Sequence, residues 1–261
     1  MVKRAGLLLT ALLIPSTSTW AGATDMDDLL AALRQARTLE ARGEVTITVL
    51  FPPRAVPTRT ARRLPLVAFT PALITRNFSV SRADGGAVAG RPTVRFDLLP
   101  RVGTRARWSL WVDQVWNIPL AYEERTATGE LARRAEFVKV NPKPIRVEAA
   151  VVTQPAALHA AVAQALPGLV LPAGFEPSGV TARADGGLTI SLTDGVNVLA
   201  LVTAPRNVKA APGVASRRVG AGFVWLVGNL PQGALEAALA GISGIDPAGL
   251  GTFASPEGSK Q

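Results

Sequence analysis

The fold of this chain is decided by residues 95–140, which read RFDLLPRVGTRARWSLWVDQVWNIPLAYEERTATGELARRAEFVKV. Within this stretch, residues 107–113 alternate between two faces, as a half-buried strand requires. One face would carry Trp108, Leu110 and Val112, and the other Arg107, Ser109, Trp111 and Asp113. Turn residues separate this strand from extended runs at residues 95–99, 120–125 and 131–140. The stretch predicts an antiparallel meander without a catalytic motif, which favours a binding protein.

The rest of the chain also lacks the residues of common active sites. His159 is the only histidine and lies in an alanine-rich helical pattern, which excludes a histidine metal cluster and argues against a Ser-His-Asp triad. Neither a phosphate-binding nor a dinucleotide-binding glycine loop is present. The adjacent Glu123 and Glu124 would face opposite ways on a strand, which is a poor start for a paired-carboxylate hydrolase. We therefore expect no enzymatic activity, no cofactor and no metal site.

Several short motifs follow one another in a fixed order. The meander holds W-x-D at residues 111–113, a turn ending in Ile118-Pro119, T-G-E at 128–130 and F-V-K-V at 137–140. Further along come LPAGF at residues 171–175, an Asp194-Gly195 turn before an apolar strand, and VGNLP at 227–231. In this order they resemble the RseB/MucB family, the secreted negative regulators of envelope-stress sigma factors. The chain departs from the family at Asn117, where glycine is usual, and in a Pro- and Arg-rich segment at residues 51–77.

The resemblance implies an α+β fold with two domains. The N-terminal domain would be similar to the lipoprotein carriers LolA and LolB, with a curved antiparallel sheet, a half-barrel, wrapped on helices. A smaller α+β domain would follow it. Residues 25–42 have an acidic start and an apolar stripe at helical spacing, which predicts the helix that opens such a domain.

The first residues predict the compartment of the mature protein. Lys3 and Arg4 precede a run of apolar residues at 5–14, and Ala21-Gly22-Ala23 is a small-residue cleavage pattern. These are the parts of a secretory signal peptide, and the run is too short to span a membrane. Without any cysteine, the chain has neither a lipid-modified N-terminus nor a disulfide. We expect a soluble protein of the periplasm or cell envelope.

Composition divides the chain into segments. After the signal peptide at residues 1–23, the LolA-like domain would occupy residues 24–140. Residues 141–155 contain three prolines and predict a linker. Residues 156–244 would form the C-terminal domain, and the small and polar residues 245–261 predict a disordered tail.

The charge balance is basic. The net charge at pH 7 is +9, and of the 28 basic residues five are lysines and 23 are arginines. Such a balance suits nucleic acid, anionic lipid or an acidic peptide, or it reflects compositional bias alone. Export argues against nucleic acid, and the basic residues are scattered over strands instead of alternating with stacked aromatics.

Five residues are candidates for contact with a protein partner or a lipid. Trp108, Trp111 and Trp116 have the large apolar surface that anchors interfaces, although core packing is the alternative for each. Arg217 and Arg218 could meet an acidic partner, or they could simply face solvent.

One pentapeptide, Arg-Ala-Asp-Gly-Gly, occurs at residues 82–86 and again at 183–187. Asp-Gly followed by glycine is typical of a tight hairpin turn, because these residues tolerate positive φ. We expect shared turn chemistry at both places.

Three functions follow from these observations. The resemblance implies a protein that binds the extracytoplasmic part of a membrane anti-sigma factor and shields it from regulated proteolysis until a lipid or misfolded envelope component displaces it. The first rival is a carrier of lipid or lipoprotein acyl chains, and the second is a scaffold or envelope-polymer binder that has inherited the fold. The sequence does not identify the ligand, the partner or the oligomeric state.

Overall fold

The computed structural model of the chain describes residues 24–65, 67, 69–148, 156–209 and 211–255. The predicted signal peptide at residues 1–23, residues 149–155 of the predicted linker and residues 256–261 of the predicted tail lie outside the described residues. The described part contains two large, mainly antiparallel sheets, each with helices of its own. The prediction of an α+β fold is therefore confirmed.

The first half is a seven-stranded antiparallel sheet preceded by a capped helix. In the cap, the side chains of Thr24 and Asp27 each accept a hydrogen bond from the other's backbone N–H. The elements are α1 (Asp25–Gln35), β1 (Leu39–Glu40), β2 (Gly43–Val49), β3 (Thr58–Ala61), α2 (Pro71–Asn77), β4 (Phe78–Val88), β5 (Arg91–Pro100), β6 (Arg107–Asp113), β7 (Pro119–Arg125), β8 (Leu131–Val140) and β9 (Ile145–Arg146). The strand order is β3-β2-β8-β7-β6-β5-β4, and β1 pairs separately with β9.

The predicted meander is confirmed as strands β5 to β8. Each of these strands pairs antiparallel with the next. Burial alternates along β6 as expected, with Trp108, Leu110 and Val112 buried. In the following turn Asn117 has a φ of 53°, a left-handed conformation that asparagine tolerates, so the turn forms without a glycine.

The two faces of this sheet differ in chemistry. The inner face packs its apolar side chains against Leu29 and Leu33 of α1 and forms one continuous core. The outer face carries ion pairs along and between neighbouring strands, among them Arg95 with Asp97 and Arg134 with Glu123. Burial of the apolar face drives this packing, whereas these partly exposed ion pairs contribute little to stability.

The second half is a six-stranded sheet with helices packed on one face. Its elements are α3 (Leu158–Ala165), β10 (Glu176–Ala182), β11 (Leu188–Thr193), β12 (Val198–Ala204), β13 (Val214–Val219), β14 (Gly222–Val227), α4 (Gln232–Leu239), a 3-10 helix (Ala248–Phe253) and β15 (Ala254–Ser255). The strand order is β13-β14-β12-β11-β10-β15. A second core joins the two helices to the sheet, through residues such as Leu158, Leu201, Leu226 and Leu235.

The predicted disorder of residues 245–261 is wrong for residues 248–255. The 3-10 helix buries Leu250 completely, and β15 pairs parallel with β10. The small, polar composition of this segment concealed its order, because one leucine and the partly buried Phe253 supply the apolar contacts with the second core.

The repeated pentapeptide forms two different structures. At residues 183–187 it makes the expected hairpin turn, closed by Arg183 N–H donating to the Gly187 carbonyl at 2.9 Å. At residues 82–86 it lies inside β4, where the pairing register with β5 shifts between Asp84 and Ala87. The expectation of a hairpin turn is therefore wrong at the first copy, which forms a bulge.

Candidate functional site

Trp108 joins the two halves of the molecule. It is 2 % exposed and lies on the inner face of β6, with its ring centroid 5.4 Å from that of Tyr122. Its indole N–H donates to Asn197 Oδ1 in the second half at 2.7 Å. A buried indole needs such an acceptor, so Trp108 is a fixed point of contact between the halves and presents no free surface in this arrangement.

The partner of Trp108 lies on the loop between β11 and β12, which enters the first half. Val196 of this loop is part of the core of the first half. Gly195 accepts a hydrogen bond from Thr70 N–H at 2.9 Å. A Cβ on Gly195 would lie 2.6 Å from the backbone nitrogen of Ile74, so only glycine allows this close approach. The Asp194-Gly195 turn found in the sequence is thus the point at which one half docks into the other.

Buried polar groups surround this docked loop. Asn77 Nδ2 donates to the carbonyls of Gly174 at 2.9 Å and Asp194 at 2.8 Å, both in the second half. The guanidinium of Arg105, whose side chain is 4 % exposed, lies 3.4 Å from Asp194 Oδ2 and donates to the Val102 carbonyl at 2.9 Å. We call Asn77, Arg105, Trp108, Asp194 and Asn197 the seam.

The carboxyl group of Asp194 is the charged centre of the seam. Burial raises its pKa above the usual aspartate value, although hydrogen bonds from Asn197 and Val196 and the charge of Arg105 act in the opposite direction. Asn197 donates to it twice, from the backbone N–H and from Nδ2, both at 2.9 Å. The side chains of all five seam residues are therefore hydrogen-bonded, and their network holds the halves in one relative orientation.

Further contacts extend the seam towards the surface. Asn229 Nδ2 donates to Glu124 Oε1 at 2.8 Å, and Glu124 also pairs with Arg133 at 2.8 Å. On another side of the seam, Arg76 pairs with Glu176 at 2.7 Å. The last pair is partly exposed and should contribute much less to stability than the buried network.

Trp111 and Trp116 lie away from the seam. Trp111 is half-buried on the outer face of β6, between Arg95 of β5 and Ala121 of β7. The indole ring of Trp116 lies under Arg91, whose guanidinium carbon is 3.5 Å from the ring centroid. A role for either residue in binding stays a prediction.

The stack on Trp116 is held by Asp113. Arg91 donates to both carboxylate oxygens of Asp113, at 2.6 and 3.0 Å. Burial would raise the pKa of Asp113, but the hydrogen bonds from Arg91 and from the backbone N–H groups of Trp116 and Val115 outweigh it and lower the pKa. This ion pair therefore fixes both the turn after β6 and the surface around Trp116.

Arg217 and Arg218 lie on β13, at an edge of the second sheet. Arg217 is half-buried and its Nε donates to the Ile242 carbonyl at 3.1 Å. Arg218 is exposed, with a long contact of 3.4 Å from Nε to the Gly220 carbonyl. Of the two, Arg218 has the more accessible charge, and binding at either residue stays a prediction.

Sequence reasoning missed four of the five seam residues. Arg105 and Asp194 are 89 positions apart, and nothing in their local sequence distinguishes a buried ion pair from two surface charges. The available signal was the Asp194-Gly195 motif itself.

Within the described residues no group of three or more carboxylate, histidine or cysteine side chains could hold a metal ion. Across the same described ranges, every helix is too short or too polar to cross a membrane.

Comparison with known proteins gives a clear answer for the fold. No protein-family model and no curated protein matches the chain. The crystal structure of MucB does, with a TM-score of 0.61 and 18 % identity over 85 % of this chain and 99 % of MucB. The Pseudomonas aeruginosa MucA/MucB complex gives a TM-score of 0.56 and 18 % identity over 85 % and 100 %. MucB in complex with MucA(peri) gives 0.55 and 17 % over 84 % and 98 %. The predicted resemblance to the RseB/MucB family is confirmed at the level of the fold.

Proposed function

We propose that this chain is a non-enzymatic regulator of the RseB/MucB type, which binds the extracytoplasmic part of a membrane anti-sigma factor. The observation that carries the proposal is the extent of the structural similarity. It spans both halves of this chain and 98–100 % of the MucB chains, two of which were solved together with MucA. The ordered sequence motifs support the same assignment, because they lie in both halves.

The proposal includes export and a response to envelope stress. The signal peptide expected at residues 1–23 would place the mature protein in the periplasm or cell envelope. Binding would shield the partner from regulated proteolysis until a lipid or misfolded envelope component displaces this protein. Such displacement requires that the two ligands favour different states of the protein. The two states would differ at the seam, because its hydrogen bonds determine how the two halves are arranged.

The alternative of an acyl-chain carrier has less support from the structure. A carrier of the LolA type would hold acyl chains inside its curved sheet, and a single domain would be enough for that role. Here the inner face of the first sheet is occupied by Leu29 and Leu33 of α1 and by Val196 from the second half.

A crosslinking pull-down tests the proposal. The tagged mature protein is crosslinked in its own cells, and the recovered proteins and lipids are identified by mass spectrometry. We expect a single-pass membrane protein whose cytoplasmic part binds a sigma factor, and a tagged, unrelated exported protein serves as the control. Recovery of lipids or lipoproteins alone would instead establish the carrier, and failure to retain any membrane protein beyond the control would reject the regulator.

A further inference from the structure

The Pro- and Arg-rich segment at residues 51–77, whose structure the sequence left open, ends the first sheet with an unpaired edge. It contributes β3, the last strand in the sheet order, which pairs with β2 alone. Val49 N–H donates to the Pro57 carbonyl at 2.7 Å, so the alternating antiparallel pattern directs the backbone groups of Thr58 and Thr60 away from β2. Both residues are exposed, and such an edge is a template for another strand.

Other edges of the two sheets are partly covered. At β4, the N–H groups of Phe78 and Arg82 donate to the Ile74 carbonyl and to Asp25 Oδ2. At β13, the outward N–H and carbonyl groups of Val214 bond to Ala211 and Gln232. At β3, by contrast, no hydrogen bond of the described chain occupies the outward backbone groups of Thr58 and Thr60.

The segment that contributes β3 is basic, although Glu40 and Glu44 of the neighbouring strands lie beside it. No acidic residue occurs between Glu44 and Asp84, whereas this interval contains six arginines. Four of them flank or lie on β3, and within the described residues only Arg63 has an ion-pair partner, Glu40 at 3.9 Å. The other three, all exposed, are Arg54, Arg59 and Arg62. Uncompensated guanidinium groups in this number select an anionic ligand.

The edge also has room for side chains. A cleft of about 430 Å³ lies beside β3, lined by Thr60, Ala61, Arg62 and the start of β2 at Gly43 and Glu44. Nearby, Val56 is 74 % exposed, so an apolar side chain of a ligand would find a contact there. A free backbone edge combined with positive charge fits an extended acidic peptide, because strand addition supplies main-chain hydrogen bonds and the flanking side chains give specificity.

We propose that an acidic, extended segment of the protein partner adds to the first sheet as an eighth strand beside β3. The backbone groups of Thr58 and Thr60 hydrogen-bond to the segment, and its carboxylates face Arg59 and Arg62. The inference rests on the proposed function only for the identity of the partner, since the edge and its charge are properties of this chain.

Two pairs of variants separate this edge from the rest of the surface. Thr60→Pro removes the outward N–H without removing a bond to β2, and edge strands tolerate proline. Ser216→Pro is the corresponding variant at the β13 edge, because the N–H of Ser216 points outward in the same way; it also removes the hydroxyl that donates to Asn207 Oδ1. Arg62→Glu reverses a charge beside β3, and Arg206→Glu reverses an exposed charge of the second half that has no proposed role in binding. Circular dichroism first verifies that each variant is folded.

The test uses the full chain with a photoreactive amino acid at Thr58, irradiated in its own cells. We expect adducts on an acidic extracytoplasmic segment of a membrane protein. Their yield should fall about tenfold in Thr60→Pro and in Arg62→Glu and stay unchanged in Ser216→Pro and Arg206→Glu.

The outcomes distinguish this proposal from the proposed function. If the pull-down retains a membrane anti-sigma factor but Thr58 labels nothing, or labels equally in Thr60→Pro and Arg62→Glu, the edge proposal fails and the function stands. If the pull-down fails while Thr58 still labels an acidic segment in a Thr60→Pro-sensitive manner, the edge proposal stands alone. Absence of labelling together with a failed pull-down rejects both.

Discussion

The seam and the β3 edge both depend on arginine, but in opposite ways. At the seam, Arg105 is buried against Asp194, and the neighbouring polar groups find partners inside the protein. At the β3 edge, Arg59 and Arg62 are exposed and lack an ion pair within the described residues. A buried charge without a partner is costly, whereas an exposed one is not. The comparison teaches that Arg105 maintains the structure, whereas Arg59 and Arg62 are available to a partner.

The largest effect is expected when the buried pair of the seam is broken. Arg105→Met leaves the Asp194 carboxylate buried without its cation and also removes the donors to the Val102 carbonyl. We expect the free energy of unfolding at pH 7 to fall by about 3 kcal/mol. Urea denaturation measures this free energy. The control is Arg76→Met, which breaks the partly exposed pair with Glu176 and should lower the free energy of unfolding by less than about 1 kcal/mol.

The pH dependence of the same variant sharpens this result. Burial already raises the pKa of Asp194, and loss of Arg105 should raise it further. The folded variant then binds a proton more readily than the unfolded chain, so its stability falls as the pH rises above the usual aspartate pKa. The deficit relative to the wild type should therefore shrink on acidification towards that pKa. A deficit independent of pH would show that Asp194 does not carry the charge of the seam.

A smaller effect is expected from the tryptophans on the two faces of β6. Trp108→Phe removes the donor to Asn197 Oδ1 inside the seam, which should cost about 2 kcal/mol. Trp111→Phe, on the outer face of the same strand, should cost less than about 1 kcal/mol, because Trp111 is only half-buried. Thermal and urea unfolding compare the two. Equal costs would mean that the bond across the seam contributes nothing measurable.

Local patterns predicted the parts of the fold that depend on local chemistry. The alternation along β6 identified the buried face of the meander, since side chains of a strand alternate between faces. The two copies of Arg-Ala-Asp-Gly-Gly mark the limit of this reasoning. In both, the aspartate Oδ1 accepts an N–H two residues ahead, yet one copy is a bulge and the other a hairpin. Pairing of the flanking strands, which the pentapeptide does not encode, decides between them.

The seam and the β3 edge lie beyond local patterns for different reasons. The contact between Trp108 and Asn197 spans 89 positions, so it depends on how two independently formed sheets dock. The positive charge of the β3 edge was visible in the sequence as a long interval without acidic residues. The strand at residues 58–61 was not, because the prolines of that segment argue against a strand. The prediction of a disordered tail was wrong at residues 248–255 for a related reason, because the order of these residues depends on burying Leu250 against the second core.

The ion pair of Asp113 with Arg91 tests whether burial or hydrogen bonding determines the pKa of a carboxyl group. Asp113→Asn removes the pairing with Arg91, and we expect a cost of about 1.5 kcal/mol at pH 7. Since the pKa of Asp113 is lowered in the folded protein, its contribution is complete above the usual aspartate pKa and is lost as the pH falls through the folded value. The deficit of this variant should therefore shrink only below the usual aspartate pKa, whereas that of Arg105→Met shrinks above it. Urea denaturation across both pH ranges distinguishes the two windows, and a shared window would contradict the opposite environments of the two carboxylates.

The smallest effect concerns the stability of the β3 edge itself. Thr60→Pro should change the free energy of unfolding by about 0.5 kcal/mol or less, because its N–H bonds to nothing in the described chain. Arg59→Pro, one residue earlier, should cost about 1 kcal/mol more, since the N–H of Arg59 lies on the side that pairs with Ile47 of β2. Urea denaturation of the two proline variants measures this alternation directly. If Thr60→Pro proves as costly as Arg59→Pro, the backbone of Thr60 is already engaged within the molecule and β3 is no longer an open edge for a partner strand.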